Sequence, residues 1–187
     1  MRNFRVEAIV LKRKNIGEAD RILTVFTREF GKLQLKAKGV RKLTSKRSSH
    51  IEPLNTTVLS YYKGQGMPVL LEAVSLQNFN GIKSDLTKVG FAYHICELID
   101  GLCPENQESE EIFSLIQKVL EEIEKKEVVL ASLIHTFEVE LLTLLGYYST
   151  GTYDLSGAKA SYFIESILER KLKTRQILPL LFENRVI

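Results

Sequence analysis

The 187-residue sequence has only two cysteines, no tryptophan and no long uninterrupted apolar run. Two cysteines, Cys96 and Cys103, are too few for a disulfide scaffold and suit a reducing cytoplasm, where we expect the protein to act. No Cys-x-x-Cys pair is present, so the sequence predicts no structural zinc site. Ser132 and His135 interrupt the longest apolar stretch and residues 1–7 carry charges, so we expect neither a membrane span nor a signal peptide.

The common catalytic motifs are also missing. The sequence contains no Gly-x-x-x-x-Gly-Lys-[Ser/Thr] phosphate loop and no Gly-x-Ser-x-Gly nucleophile turn. Glu18 and Asp20 lie two residues apart beside a predicted turn, which is typical of solvated surface carboxylates. His94 and Cys96 lie on different faces of a predicted helix, so their spacing does not suit a metal site. We therefore expect a protein that is not an enzyme and has no metal or other cofactor.

Acidic residues are scarce in the first part of the chain. Residues 1–80 hold 15 basic and 6 acidic side chains, whereas residues 81–148 hold 5 basic and 13 acidic ones. The overall charge of +3 hides this asymmetry. A basic first part and an acidic middle predict two units with different roles, which we place at residues 1–80 and 81–187.

The basic part has the periodicity of β-strands and the rest has that of helices. Five strands in about 80 residues, linked by short turns, predict a small barrel. The OB-fold fits best, with an SH3-like barrel as the alternative. The fold class is thus α+β, a five-stranded N-terminal OB-fold barrel followed by an all-α domain. The predicted strands cover residues 4–14, 20–27, 32–38, 54–63 and 68–79. The predicted helices cover residues 84–101, 109–123, 128–145 and 159–173, with Ser84 and Ser109 at the first two N-termini and a short tail at 178–182.

The most informative segment is residues 30–51, which contain seven Lys or Arg and no Asp or Glu. In its first part cations alternate with apolar residues, which predicts a half-buried strand with one cationic face. The second part has no apolar periodicity and is predicted to be a loop. A solvated, lysine-protected sheet face would show the same alternation. The continuation into a basic loop favours a nucleic-acid surface instead. The candidate binding residues are Lys32, Lys36, Lys38, Arg41, Lys42, Lys46 and Arg47.

Charge alone leaves other functions open. A basic barrel does not discriminate DNA from RNA, so an RNA-binding protein acting on tRNA or the ribosome fits too. A third alternative is an adaptor that binds protein partners through its acidic helical part. Tyr61 and Tyr62 end a strand near the basic face, and one of them is expected to point outward, where it could stack on a base.

Several motifs in a fixed order resemble the RecO family of recombination mediators. The resemblance covers roughly residues 4–147. It rests on Ile9-Val10-Leu11-Lys12, Gly17-Glu18-x-Asp20-Arg21, Phe26-Thr27, Gly31-Lys32-Leu33, Ala37-Lys38-Gly39, Ser45, Glu52-Pro53-Leu54, Tyr93, Glu97-Leu98, Phe137-Glu138 and Leu144-Leu145-Gly146-Tyr147.

The resemblance implies an N-terminal OB-fold, a helical C-terminal domain and a nucleoid-associated role in DNA repair and recombination. It implies binding to single- and double-stranded DNA and annealing of complementary strands. Its implied partners are RecR, the acidic C-terminal tail of single-strand-binding protein (SSB) and, indirectly, RecA. By position, the basic strand-to-loop segment of the family falls on Lys32, Lys36, Lys38, Arg41 and Lys42.

The last forty residues depart from the family pattern. Many RecO-like proteins carry a four-cysteine zinc module after the Leu-Gly-Tyr element, but residues 148–187 contain no cysteine. An acidic SSB tail requires cations beside an apolar groove. Candidates here are Arg170, Lys171, Lys173 and Arg175, although a solvated cationic helix end is the better explanation of these residues.

Overall fold

The computed structural model describes residues 2–149, 151 and 154–183, with side chains described up to residue 178. The chain falls into two compact units, Met1–Asn78 with Pro104–Phe113, and Phe79–Cys103 with Ser114–Ile187. The strands are β1 (Arg2–Ile16), β2 (Asp20–Thr27), β3 (Gly31–Ala37), β4 (Thr56–Lys63) and β5 (Val69–Gln77). The α-helices are α1 (Asn80–Lys83), α2 (Leu86–Leu102), α3 (Glu110–Glu124), α4 (Leu130–Leu144), α5 (Lys159–Leu168) and α6 (Lys173–Glu183).

The five strands close into a barrel in the order β1-β2-β3-β5-β4. All strand pairs are antiparallel except β3 with β5, which are parallel and meet at Lys36 and Val69. The long strand β1 pairs with both β2 and β4, and an irregularity between Val10 and Lys12 lets it bend from one to the other. The predicted OB-fold barrel is confirmed.

Alternation along each strand supplies the barrel core. In β3, Leu33, Leu35 and Ala37 are buried inside the barrel, whereas Gln34 between them is exposed. The interior is filled by aliphatic side chains from all five strands and the β3–β4 connection. Fully or nearly fully buried members are Val6, Ala8, Val10, Leu23, Val25, Leu35, Val40, Ile51, Leu59, Tyr61 and Leu70.

Residues 104–113 complete the barrel unit although they follow α2 in sequence. Lys32 forms a parallel bridge with Glu105, and the Asn106 N–H donates to the Lys32 carbonyl at 2.9 Å. Gly31 has φ +63°, and a Cβ there would lie 1.8 Å from the Gln107 carbonyl oxygen. Only glycine fits this approach of two backbones.

Arg28 holds the same segment from the side. Its guanidinium donates to Glu7 at 3.2 Å and to Glu110 at 3.0 Å, and lies 4.5 Å from the centre of the Phe113 ring. These contacts join β1, β2 and the returning segment within one unit.

The helical unit departs from prediction most clearly at the start of α2 and in the fourth predicted helix, whereas α3 and α4 lie within two residues of their predicted bounds and the short α1 was not predicted. The N-cap of α2 is Asp85 and not Ser84, because the Asp85 carboxylate accepts from the N–H groups of Thr87 and Lys88. The helix predicted over 159–173 begins at Lys159 as expected, but its second part is wrong, and so is the short tail predicted at 178–182, which belongs to α6. The helix α5 ends at Leu168, where Glu169 takes a left-handed conformation with φ 52°, and α6 starts at Lys173.

A buried polar chain links four helices of this unit. His94 is 2% exposed and lies 3.0 Å from the Glu138 carboxylate and 2.7 Å from the Thr174 hydroxyl. Glu138 also accepts from the Ser161 hydroxyl at 2.7 Å. The residues belong to α2, α4, α5 and α6, so hydrogen bonds satisfy polar groups that would otherwise be costly to bury.

Candidate nucleic-acid interface

Strand β3 presents its cations unequally. Lys36 is half-buried and Lys38 is exposed, as the alternation predicts. Lys32, which the same alternation places on the cationic face, is only 7% exposed because residues 104–108 run alongside it. The structure thus brings Lys36 and Lys38 together at the C-terminal end of β3 and separates Lys32 from them.

Asp20 fixes the position of Lys36 and of the following turn. Its carboxylate lies 3.2 Å from the Lys36 ammonium and accepts from the Gly39 N–H at 2.8 Å. The Gly39 hydrogen bond and then the Lys36 ammonium lower the pKa of Asp20 below its ordinary value. Asp20 therefore stays charged at neutral pH and neutralises part of the positive charge of Lys36.

Strand register extends the cationic surface onto β1. Lys14 pairs with Ile22, which pairs with Lys36, so Lys14 and Lys36 face the same side with one strand between them. Their backbones are about 10 Å apart, two strand spacings. Lys12 lies one step along the same face, and both β1 lysines are exposed. Sequence reasoning missed these two residues, although the run of three cations Lys12-Arg13-Lys14 at the end of a predicted strand was a usable signal.

The loop after β3 adds three exposed cations, Arg41, Lys42 and Lys46. Arg41 is fixed at the start of the loop, because its N–H donates to the Ala19 carbonyl at 2.9 Å and its guanidinium to the Gly17 carbonyl at 3.0 Å. We call Lys12, Lys14, Lys36, Lys38, Arg41, Lys42 and Lys46 the cationic surface.

Arg47 has a different environment. Its guanidinium donates to the Lys38 carbonyl at 2.7 Å, the Leu70 carbonyl at 2.9 Å and the Leu71 carbonyl at 3.2 Å. These bonds fasten the loop across the short β3–β5 junction. A guanidinium with three carbonyl partners has few donors left for a phosphate, so we leave Arg47 out of the cationic surface.

Two arginines lie beside one carboxylate near the β1–β2 end of the barrel, and the charge of a third acts on one of them. Glu52 pairs with Arg13 and lies 3.7 Å from Arg21. Burial and then the neighbouring charge of Arg13 lower the pKa of Arg21, and Arg41 adds to this effect. Positive charge is therefore concentrated at this end, next to the cationic loop.

The two tyrosines of β4 have separate environments. Tyr61 is 3% exposed and stacks on Phe4 with ring centres 5.2 Å apart, so it belongs to the barrel core. Burial raises the pKa of its hydroxyl. Tyr62 is half-buried on the opposite side of the strand.

The cations proposed for an SSB tail are largely neutralised by neighbouring carboxylates. Arg170 donates to Glu97 at 2.8 Å, and Lys171 and Arg175 donate to Glu165 at 3.3 and 3.0 Å. The described side chains provide no group of three or more His, Cys, Asp or Glu arranged to hold a metal ion. No helix within residues 2–149 or 154–183 has both the length and the apolarity needed to cross a membrane.

Comparison with known proteins identifies the family. Residues 1–79 match the model described as Recombination protein O N terminal, and residues 83–157 match Recombination protein O C terminal. The chain belongs to the RecO family. This confirms the resemblance inferred from the sequence motifs.

Curated RecO relatives are similar over most of this chain. It is 34% identical over 146 residues to the DNA repair protein RecO of Roseiflexus sp. (strain RS-1), covering 78% of this chain and 51% of that protein. It is 33% identical over 147 residues to the DNA repair protein RecO of Thermoanaerobacter sp. (strain X514), covering 79% of this chain and 59% of that protein. The chain thus spans between about half and three fifths of the length of these two relatives.

Proposed function

We propose that this chain is a DNA-binding mediator of repair and recombination that acts by binding and not by catalysis. In this proposal it holds single- and double-stranded DNA, anneals complementary strands and, with RecR, promotes loading of RecA onto SSB-coated DNA. The observation that carries the proposal is the cationic surface, a set of exposed Lys and Arg on the rigid barrel of a RecO family chain.

The geometry of the cationic surface suits a phosphate backbone. Lys14 and Lys36 project from neighbouring parts of one sheet face, and Arg41 and Lys42 follow at the start of the loop. Such contacts neutralise phosphates and do not read base edges. We therefore expect binding with little sequence preference and a strong dependence on salt.

The test is a set of four substitutions, Lys36→Gln, Lys38→Gln, Arg41→Gln and Lys42→Gln, which remove charge but keep side-chain length and polarity. Four neutralised phosphates on a single strand give a slope of log K against log salt of about −3. The quadruple variant is expected to bind all sequences more weakly and with a flatter slope. Fluorescence anisotropy with labelled oligonucleotides at several salt concentrations measures both effects.

A matched control removes four lysines from the helical unit, namely Lys83, Lys118, Lys125 and Lys126. It lowers the net charge equally and is expected to keep the wild-type slope. Two results would contradict the assignment of the cationic surface. One is a quadruple barrel variant with the wild-type slope of log K against log salt. The other is an equal loss of DNA affinity in this variant and in the helical-unit control.

A second experiment tests the mediator role itself. The rate of annealing is measured with complementary DNA oligonucleotides that are either bare or coated with SSB. An RNA strand of matched sequence is added as a competitor for binding. We expect the wild type to accelerate annealing and the quadruple variant not to. Absence of both DNA binding and annealing in the wild type refutes the proposal, and preferential binding of RNA replaces it with the RNA alternative.

A further inference from the structure

Leu43 lies in an unusual position for a leucine. Its relative exposure is 106%, against 74% for Val129, the next most exposed large apolar side chain among the described residues. It lies in the cationic loop, directly after Arg41 and Lys42 and shortly before Lys46, all of which are exposed. An apolar side chain held among cations in solvent makes no contact that stabilises the barrel.

Hydrogen bonds hold the loop that carries Leu43. The Lys42 N–H donates to the Gly39 carbonyl at 3.2 Å, and the Ser45 N–H donates to the Lys42 carbonyl at 2.9 Å. Leu43 is therefore the first corner residue of a hydrogen-bonded turn. Arg41 and Arg47 tie the two sides of the loop to neighbouring backbone. The leucine is thus presented at a fixed place and is not part of a loose tail.

We propose that Leu43 is an apolar wedge that packs against an unstacked nucleic-acid base while Arg41 and Lys42 hold the adjacent phosphates. The inference rests on the proposed function and adds a base contact to it. Apolar side chains inserted at base steps unstack them in other DNA-binding proteins. Phosphate contacts alone do not reach the bases, so a wedge at this place would add the contact that exposes a base of the bound strand.

An anionic lipid surface is the other partner that cations with one apolar residue would suit. The structure favours nucleic acid on two grounds. The cations continue from the loop onto the sheet as far as Lys14, which suits an extended polymer. A single leucine is also a weak lipid anchor, since even one whole myristoyl chain gives only marginal membrane binding.

The test compares Leu43→Ser with Leu43→Phe and with the control Val74→Ser, an apolar residue of the same barrel that is 58% exposed. The readouts are affinity for an oligonucleotide containing 2-aminopurine and the fluorescence of that base, which rises when it unstacks. With Leu43→Ser, most of the rise in 2-aminopurine fluorescence on binding is expected to disappear. The affinity is expected to fall about tenfold, because the serine buries less apolar surface against the base. The salt slope of this variant stays unchanged because no charge is removed.

Leu43→Phe is expected to keep the fluorescence rise and Val74→Ser to match the wild type. Both positions are solvent-exposed in the folded barrel, so thermal unfolding of each of the three variants should coincide with that of the wild type. If the wild type binds DNA and Leu43→Ser gives the same fluorescence rise, the wedge is refuted while the proposed function stands. If the wild type does not bind DNA, the proposed function fails first.

A third arm uses phosphatidylserine–phosphatidylcholine vesicles and measures co-sedimentation. The wedge inference expects no Leu43-dependent vesicle binding. Vesicle binding that Leu43→Ser abolishes, without any change in 2-aminopurine fluorescence, overturns the inference in favour of a lipid surface.

Discussion

Asp20 shows how one side chain sets the strength of the cationic surface. It accepts from Gly39 and pairs with Lys36, so it fixes the end of β3 and at the same time reduces the charge that Lys36 offers to a phosphate. The proposed DNA contact at Lys36 is thus in competition with an internal ion pair.

Asp20→Asn is therefore expected to tighten DNA binding. Asparagine still accepts the Gly39 N–H but removes the carboxylate that pairs with Lys36, so a phosphate no longer has to displace an ion pair to bind this lysine. Affinity for single strands is therefore expected to rise, while the slope of log K against log salt stays at about −3. Titration at several salt concentrations measures both quantities. The control Asp154→Asn removes a carboxylate that pairs with Lys159 in the helical unit. An equal effect of the two variants would mean that total charge, and not Lys36, governs binding.

The candidate site could be predicted from the sequence only where local alternation decides exposure. Lys36 and Lys38 are accessible as the period of two indicates, and Arg41 and Lys42 are exposed as expected of a loop. The burial of Lys32 depends on a segment more than 70 residues away, which no local pattern encodes. The carbonyl partners of Arg47 and the position of Lys14 opposite Lys36 likewise depend on how strands pair.

At the scale of elements, the N-terminus of α6 is held by a carboxylate of α2. Glu97 accepts from the N–H groups of Lys173 and Thr174, both at 3.0 Å, and from the Thr174 hydroxyl at 2.7 Å. Burial alone would raise the pKa of Glu97, but these hydrogen bonds and the Arg170 guanidinium outweigh it and lower the pKa to about 2. A negative charge at this end also suits the helix dipole.

Glu97→Gln is expected to lower the free energy of unfolding of the helical unit by about 1–2 kcal/mol at pH 7. A depressed pKa stabilises the fold above the ordinary value of 4.5, and the stabilisation is lost as pH falls from 4.5 towards 2. The difference in the free energy of unfolding between wild type and Glu97→Gln should therefore be smaller at pH 3 than at pH 7. Urea unfolding followed by circular dichroism measures this difference, with Glu121→Gln on α3 as an exposed control. A difference that does not depend on pH would contradict the role of the charge.

Most strands and helices could be predicted because their apolar residues recur with a clear period and because capping or turn residues mark their ends. The bounds of β2 agree with prediction, and Ser109 accepts the Ile112 N–H at the start of α3 as expected. The break between α5 and α6 was missed because its hydrogen bonds come from the side chains of Glu97 on α2 and Glu165 on α5, which the helical period does not single out. Glu165 accepts the Leu172 N–H at 2.9 Å, which holds the segment between the two helices in a non-helical conformation that sequence periodicity does not reveal.

At the scale of the whole molecule, the barrel unit is not a continuous stretch of chain. Its strands end at Gln77, but Pro104–Phe113 belongs to the same compact unit. The contacts of Lys32, Gly31 and Arg28 with this segment are therefore part of what stabilises the barrel.

A fragment of residues 1–80 is accordingly expected to be less stable than the barrel in the full chain. Hydrogen exchange of β3 amides should be faster in the fragment, because the Lys32 carbonyl and the flank of β3 lose their partners. A synthetic peptide of residues 104–113 should slow the exchange, and the same peptide in scrambled order should not. Equal protection in the fragment and the full chain would show that the segment contributes nothing.

The close contact between Gly31 and the Gln107 backbone also affects the order in which the barrel is completed during synthesis. A ribosome makes all five strands before it makes the segment that covers Gly31 and Lys32, and at about 5–20 residues per second the delay is roughly 2–7 s. Single domains of this size commonly fold within that interval. We therefore expect the nascent barrel to exist for seconds with an open flank before a later stretch of its own chain closes it.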